Sequence, residues 1–326
     1  MVIVTDIKWV DNCGEIKEGF YMDGYLAENL YHVSDFVKKD RDFVFEVSGH
    51  GFTRCGKSTL LNQMLIFIAW RQAGGEMSLK RNREGTFINP RVTKSPKKKI
   101  KFDLNHLAFD PEGLMYKGTT FPKESLIGFD EGKQGLDSKG TMSATNKALD
   151  IFFQEVGVKN HIIGIVLPNF FKLNEDIATT RSMFLVDTYH DKNWKRGFFS
   201  FYGPRTKEWL YFMGKKKIGV GNKYASINPD FFGRFTDWSP FNKEEYETLK
   251  SEALKKKTFG TREQKIKNKY LGLLDIYKKE TNETNEIIAK KLSEVLFTKI
   301  SPRSIEYSLQ DYRKYAEKMD YGGDVS

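Results

Sequence analysis

Five short apolar runs, each closed by polar or turn residues, organise the middle of the chain: 42–49 (DFVFEVSG), 125–130 (SLIGFD), 161–169 (HIIGIVLPN), 182–190 (SMFLVDTYH) and 197–203 (GFFSFYG). Runs of this length, rich in Val, Ile and Phe, predict buried strands. Residues 57–73 have the apolar density of a buried helix, and residues 144–157 read as a second helix. Strands alternating with helices imply βαβ units: an α/β fold with a mainly parallel sheet and helices on both faces. In such sheets ligands gather at the carboxyl ends of the strands.

Past a charged connector, residues 263–320 read as wholly helical. Residues 263–279 place Ile266, Tyr270, Leu273, Leu274 and Tyr277 on one face, and residues 284–295 do the same with Ile287, Ile288, Ala289 and Leu292. Ser301-Pro302 then opens a third helix, serine as N-cap and proline at its first position. Ile305, Leu309, Tyr312 and Tyr315 line one face of it. A helix, a short turn and this third helix look like a helix-turn-helix, in which Ser301, Arg303, Ser304, Tyr307 and Gln310 face DNA. A plain three-helix bundle for subunit contact fits the same pattern. The expected organisation is an N-terminal extension (1–41), an α/β core (42–240), a charged connector (241–262) and a helical domain (263–326).

Composition narrows the class. The 326 residues suffice for about two domains. Hydrophobic content of 39% with 14% aromatics excludes a wholly disordered chain. Fifty-three basic against 43 acidic residues leave +10, which points to a polyanionic partner, nucleic acid before an anionic membrane surface. Two cysteines, Cys13 and Cys55, exclude a disulfide scaffold and a Cys-rich zinc module. Five histidines without paired spacing argue against a His-built metal site. No apolar run approaches membrane-spanning length, and the first residues lack a signal-peptide pattern. The expectation is a soluble protein of the cytoplasm, virion-associated if viral.

The sharpest motif is Gly51-Phe52-Thr53-Arg54-Cys55-Gly56-Lys57-Ser58, a full match to G-x-x-x-x-G-K-[ST] between a predicted strand and a predicted helix. The glycines let the backbone curl so that N–H groups point at phosphate oxygens, and the helix N-terminus adds positive potential. Lys57 reaches the β- and γ-phosphates of ATP, and Ser58 ligates Mg²⁺, with Thr59 a weaker second choice. Cys55 reads as a small filler; a thiol beside Lys57 and a helix N-terminus also fits a lowered pKa, with alkylation sensitivity as a side effect.

A second strand must hold the metal. The run ending in Asp130-Glu131 supplies it: Asp130 for the Mg²⁺ shell and Glu131 as general base for the attacking water. GTPase, ABC-type and protein-kinase signatures are absent; the nearest N-K-x-D, Asn146 to Asp150, is one residue too long. Pro168-Asn169 closes the third run, where Asn169 fits either a γ-phosphate sensor or a simple turn. Arg181, then Arg196, are the candidates for an arginine acting across a subunit boundary, although each also fits a surface ion pair.

The series GFTRCGKST, FDEG, HIIGIVLPNFFKL, DIATTRSMFLVDTYHD and RGFFSFYG resembles the P-loop motor ATPases of phages, archaeal viruses and mobile elements, grouped with FtsK/HerA translocases and zonula-occludens-toxin-like proteins. The resemblance spans roughly residues 20–240. It implies a RecA-like P-loop core, ATP and Mg²⁺, and a ring-like homo-oligomer. It also implies roles for Lys57, Ser58, Asp130, Glu131 and the sensor position Asn169, where translocases usually carry glutamine.

Charge then suggests the partner. From Lys80 to Lys101 nine Lys/Arg (80, 81, 83, 91, 94, 97, 98, 99, 101) face one acid, Glu84. The prolines and lysines there, Lys94, Lys97, Lys98, Lys99 and Lys101 among them, suggest a mobile arm neutralising DNA phosphates. A second basic set, Arg205, Lys207, Lys215, Lys216, Lys217 and Lys223 with Trp209, Tyr211 and Phe212, suits single-strand stacking or a solvated hairpin with inward aromatics. The combined expectation is ATP hydrolysis coupled to DNA translocation or remodelling, for example genome packaging. An ATP-gated DNA-binding regulator and a small-molecule kinase are the alternatives.

Overall fold

The apolar runs join one sheet in the computed structural model, which describes residues 2–10, 16–50, 54–85, 91–130, 152–153, 156–216, 223–259, 262–296 and 298–320. The chain opens with an antiparallel hairpin, β1 (Val2–Val10) and β2 (Ile16–Met22). Two short helices follow, α1 (Gly24–Tyr31) and α2 (Val33–Val37), the first capped by the Asp23 carboxylate on the Tyr25 and Leu26 N–H groups. Then come β3 (Phe43–Gly49), α3 (Lys57–Gln72), a small hairpin of β4 (Glu76–Ser78) and β5 (Arg91–Lys94), and β6 (Leu107–Ala108). α4 (Pro111–Thr120), β7 (Leu126–Asp130), β8 (Ile162–Val166), β9 (Ser182–Tyr189), β10 (Phe198–Tyr202), α5 (Pro204–Lys216) and β11 (Phe231–Arg234) complete the series.

Seven strands form the main sheet in the order β11-β10-β9-β3-β8-β7-β6. From β9 to β6 every pairing is parallel, so the carboxyl ends of β3, β7, β8 and β9 share one edge. β8 separates β3 from β7. The fifth run departs from the βαβ expectation, because β10 lies antiparallel to β9. The connection over 190–197 is too short for a crossover, which takes a dozen or more residues, so the chain folds back as a hairpin. β6 and β11, of two and four residues, are too short to show as periodic runs. The helix expected over 144–157 falls mostly outside the described residues.

Two apolar layers hold the sheet. Ile127, Phe129, Ile163, Ile165 and Leu185 pack with Phe170, Phe171, Leu210 and Tyr211 in one core. α3 covers the strands β3, β7 and β8. Gly164 makes room for it: a Cβ there would lie 2.3 Å from Leu61 and 2.6 Å from the Phe45 ring. Leu60 through Trp70 are all buried, because α1 and α2 also pack against α3, with Leu26, Ala27, Leu30, Val33 and Val37 buried in turn. Residues 24–37 therefore complete the core.

Two sequence expectations change here. Residues 204–216 are the helix α5, where a hairpin was one expected form. Tyr211 points inward and Lys207 is fully buried, while Trp209 is exposed. Lys207 Nζ donates to the Ser182 carbonyl and hydroxyl, and its charge faces the buried Glu46. Burial pushes the Glu46 carboxyl up to about 7, the Lys207 ammonium pulling the other way. The basic arm is in part anchored, since β5 pairs with β4, Lys94 bonds Glu76 at 2.5 Å, and the Lys98 N–H donates to the Ala73 carbonyl. Lys97, Lys98, Lys99 and Lys101 are exposed.

The chain divides into two compact units, 1–250 and 251–326, and passes from one to the other within α6 (Lys243–Phe259). The second unit holds α7 (Arg262–Thr281), α8 (Asn285–Leu296) and α9 (Pro302–Asp320). Ile288, Ala289, Ile305 and Leu309 make its core, with Leu274, Leu292 and Ile300 at the margin. Ser301 Oγ caps α9 by accepting from the Ser304 N–H at 3.1 Å. Burial would raise the Asp275 carboxyl, but bonds from Lys279 and Arg313 outweigh it and leave it below the usual range.

Candidate nucleotide site

β3 ends at Gly49, and α3 begins at Lys57, so the glycine-rich loop sits at the carboxyl edge of the central strands. Gly51, Phe52 and Thr53 lie outside the described residues, as does Glu131. Arg54 (φ +66°) and Gly56 (φ +90°) are both left-handed, which turns the chain sharply into the helix. Gly56 is the N-cap of α3 and brings no side chain, so the first-turn N–H groups carry no side-chain cap. A helix N-terminus in this form suits an anion. Phe235 packs directly on Gly56, where a Cβ would meet its ring at 2.7 Å. Gln63 fixes that segment by donating to the Thr236 and Trp238 carbonyls, each at 2.7 Å. Cys55 is buried, 3.1 Å from Thr188 Oγ1, and Lys57 Nζ lies 3.7 Å from its sulfur. Thr59 is partly exposed on the first turn of α3.

The structure brings the loop serine to the acidic strand end. Ser58 Oγ donates to Asp130 Oδ1 at 3.0 Å, and Asp130 is 2% exposed. Asp130 Oδ2 accepts from Lys250 Nζ at 2.9 Å and from the Tyr246 hydroxyl. Tyr246 and Lys250 are one turn apart on α6, and Tyr246 also packs edge-on against Phe109. Among the described residues no cluster of three or more His, Cys, Asp or Glu could hold a metal. A hydroxyl and one carboxylate in contact are, however, the hard-oxygen donors that Mg²⁺ takes from a protein when phosphates and water supply the rest. The ammonium already seated on Asp130 shows that this carboxylate accepts a cation.

The other sequence-derived candidates divide by edge. Asn169 follows β8 on the loop's edge, where the Leu167 N–H bonds the Val47 carbonyl. Its Oδ1 accepts from the Phe171 N–H at 3.0 Å, the local turn that the sequence allowed. Arg181 immediately precedes β9, and Ser182 pairs with Val44, so Arg181 stands at the amino edge, away from the loop, 3.7 Å from Asp176. Arg196 lies in the β9–β10 connection on the loop's edge and pairs with Asp237 at 2.7 Å. In the second unit Arg303, Ser304 and Tyr307 are exposed, opposite the buried Ile305 and Leu309, with the Arg303 guanidinium 5.7 Å from the Tyr307 ring centre.

Sequence reading missed a polar cluster beside the loop. Asp187, fully buried on β9, accepts from Ser48 Oγ at 2.9 Å and bonds His50 Nδ1. Burial pushes its carboxyl up, with the His50 bond as the chief opposing influence. The His50 ring lies between Tyr189 and Tyr224, at 5.5 and 5.1 Å. An acid inside the apolar run 182–190 and a histidine directly before Gly51 were the available signals. Tyr246 and Lys250 were likewise missed, and their i,i+4 spacing in the charged connector was the only trace of a shared face.

The fold and site together define an α/β protein with a glycine-rich loop motif at the carboxyl edge of a mainly parallel sheet. No protein-family model matches the chain, and no curated protein is significantly similar to it. It is similar to a solved structure of the genome packaging NTPase B204 from Sulfolobus turreted icosahedral virus 2 in complex with AMP, at 12% identity and TM-score 0.30, over 52% of this chain and 95% of that one. The same NTPase in complex with ATP-gammaS gives 13% identity and TM-score 0.29 over the same shares. Functional inference therefore rests on the site itself. Among the described residues no helix is long and apolar enough to cross a membrane.

Proposed function

We propose that the chain is a Mg²⁺-dependent P-loop ATPase whose hydrolysis drives translocation or remodelling of DNA. The observation that carries the nucleotide part is the 3.0 Å contact between Ser58 and Asp130, residues 72 apart in sequence, at the N-terminus of α3. A phosphate-binding turn, a lysine, a hydroxyl and a buried carboxylate at one place are what a nucleoside triphosphate and a hard cation require together. Lys57 neutralises the terminal phosphates, and Ser58 and Asp130 hold the cation. When bound, Mg²⁺ supplies charge neutralisation on the phosphate oxygens. Glu131 takes the proton of the attacking water, and Asn169 orients that water. Of the two arginines, Arg196 has the support of lying on the loop's edge; Arg181 would have to serve a neighbouring copy in a ring.

The DNA part rests on charge. Lys94, Lys97, Lys98, Lys99 and Lys101 contact phosphates sequence-independently, and Arg303, Ser304 and Tyr307 do so from a helix-turn-helix in the second unit. A second reading, an ATP-gated DNA-binding regulator with slow turnover, draws support from the engagement of Asp130 by α6. Phosphate release by the purified protein, with and without DNA, separates them. DNA-stimulated turnover that is lost in Lys57→Ala and Glu131→Gln is the result expected of a motor. Turnover indifferent to DNA favours the regulator, and no turnover with no nucleotide binding removes both readings.

A further inference from the structure

Asp130 is the one acid that the proposed site offers a cation among the described residues, and its carboxylate already carries three donors. Oδ1 takes the Ser58 hydroxyl at 3.0 Å. Oδ2 takes Lys250 Nζ at 2.9 Å and the Tyr246 hydroxyl. Asp130 is 2% exposed and the Lys250 side chain 29%, so the pair is shielded from water and weakly screened.

We infer that Tyr246 and Lys250 are a latch on the cation site: the lysine ammonium serves as counter-ion to Asp130 until a divalent cation arrives with a nucleotide, and α6 lets go when it does. The inference rests on the reading of Ser58 and Asp130 as the cation-binding pair. Two cationic groups cannot share one buried carboxylate without strong repulsion, since like charges a few ångströms apart in a partly desolvated site cost far more than in water. The divalent ion, held also by Ser58 and by phosphates, is the stronger competitor.

Geometry makes the release collective. Tyr246 and Lys250 stand one turn apart on the same face of α6, so both bonds to Asp130 are made or lost together. The opening stretch of α6 also rests on the site through the Tyr246 ring against Phe109. The residue after Lys250 begins the second compact unit. The occupancy of the cation site is thereby read by the helix through which the chain enters that unit. A second consequence concerns specificity: a nucleotide without a divalent cation leaves the ammonium in place, so only the metal complex opens the latch.

The test uses the full chain and a non-hydrolysable ATP analogue, titrated calorimetrically in Mg²⁺ and in EDTA, for wild type, Lys250→Met and Lys250→Arg. Lys250→Met keeps the stem and removes the charge. Its expected effect is an affinity gain of about tenfold in Mg²⁺, equivalent to about 1.4 kcal/mol, with little change in EDTA. Lys250→Arg, which retains the charge, stays near wild type. Independently of any variant, amide hydrogen exchange over residues 243–250 of the wild type is expected to accelerate with Mg²⁺ and analogue together, and not with the analogue in EDTA. Weaker Mg²⁺-dependent binding in Lys250→Met, or unchanged exchange in α6 on saturation, would overturn the latch while leaving the nucleotide site standing. If wild type binds no analogue in Mg²⁺ and Lys57→Ala behaves identically, the nucleotide reading fails and the latch falls with it.

Discussion

Gly56 shows how one residue couples local geometry to the site. Its φ of +90° belongs to the region where a Cβ collides with the backbone, and the Phe235 ring occupies the space that a side chain would need. Gly56→Ala is therefore expected to lose about 1–2 kcal/mol from the left-handed conformation alone, and more because Phe235 must shift. Urea unfolding of the two proteins measures it, and a loss below a few tenths of a kcal/mol would refute the strained-turn account. At this scale the residues of the proposed site, Lys57, Ser58 and Asp130, stand out in the sequence, because a glycine-rich loop motif and an acid closing an apolar strand are local patterns. Tyr246, Lys250, His50 and Asp187 were not legible as partners. Each acquires its role from a residue far away in sequence, and no local pattern records that pairing.

Among the elements, β3 carries a buried carboxylate and leads into the glycine-rich loop. Glu46 is fully buried, and its carboxyl is raised from the ordinary 4.5 to about 7. Between those two values the folded chain holds a proton that the unfolded chain has released. The Glu46 contribution to stability accordingly falls as pH rises through that window. Glu46→Gln, which cannot ionise, is expected to flatten the fall; denaturant midpoints measured across the window for both proteins decide it, and identical profiles would reject the buried acid as their cause. The strand itself was read correctly from six apolar or small residues, yet the acid at its centre gave no hint of Lys207. That lysine was expected among surface charges, whereas α5 carries it into the core beside Ser182. Helical spacing places residues on a face, and only packing decides which face meets the sheet.

For the whole molecule the distribution of charge bears on the proposed DNA partner. The lysines at 97, 98, 99 and 101 are exposed on a segment tied down by β5 and by the Lys98 N–H. If they neutralise DNA phosphates, replacing Lys97, Lys98 and Lys99 by alanine removes three contacts. The slope of log affinity against log salt is then expected to fall by about 3, at roughly 0.9 per duplex phosphate. Fluorescence anisotropy over a salt series measures the slope, and an unchanged value would exclude this segment from the interface. The N-terminal residues also take their meaning only at this scale. From sequence, residues 1–41 were an extension of undecided purpose; in the structure α1 and α2 pack against α3 and share in burying Leu60 through Trp70.

Taken by itself, the sequence determined the longer parallel strands, the buried helix after the loop, the loop motif with its lysine and serine, and the helices at the end, the last with its serine cap. All of these are encoded by periodicity and by residues with restricted backbone preferences, which act over a few positions. The tertiary structure alone decided that β8 separates the loop strand from the acidic strand, that β10 turns back antiparallel, and that α6 lays Tyr246 and Lys250 on Asp130. Backbone hydrogen bonds between strands carry little residue identity, so neighbour and direction follow from connection length and from the packing of whole faces. A lysine finds its carboxylate in the same way, through the folding of the elements that carry them.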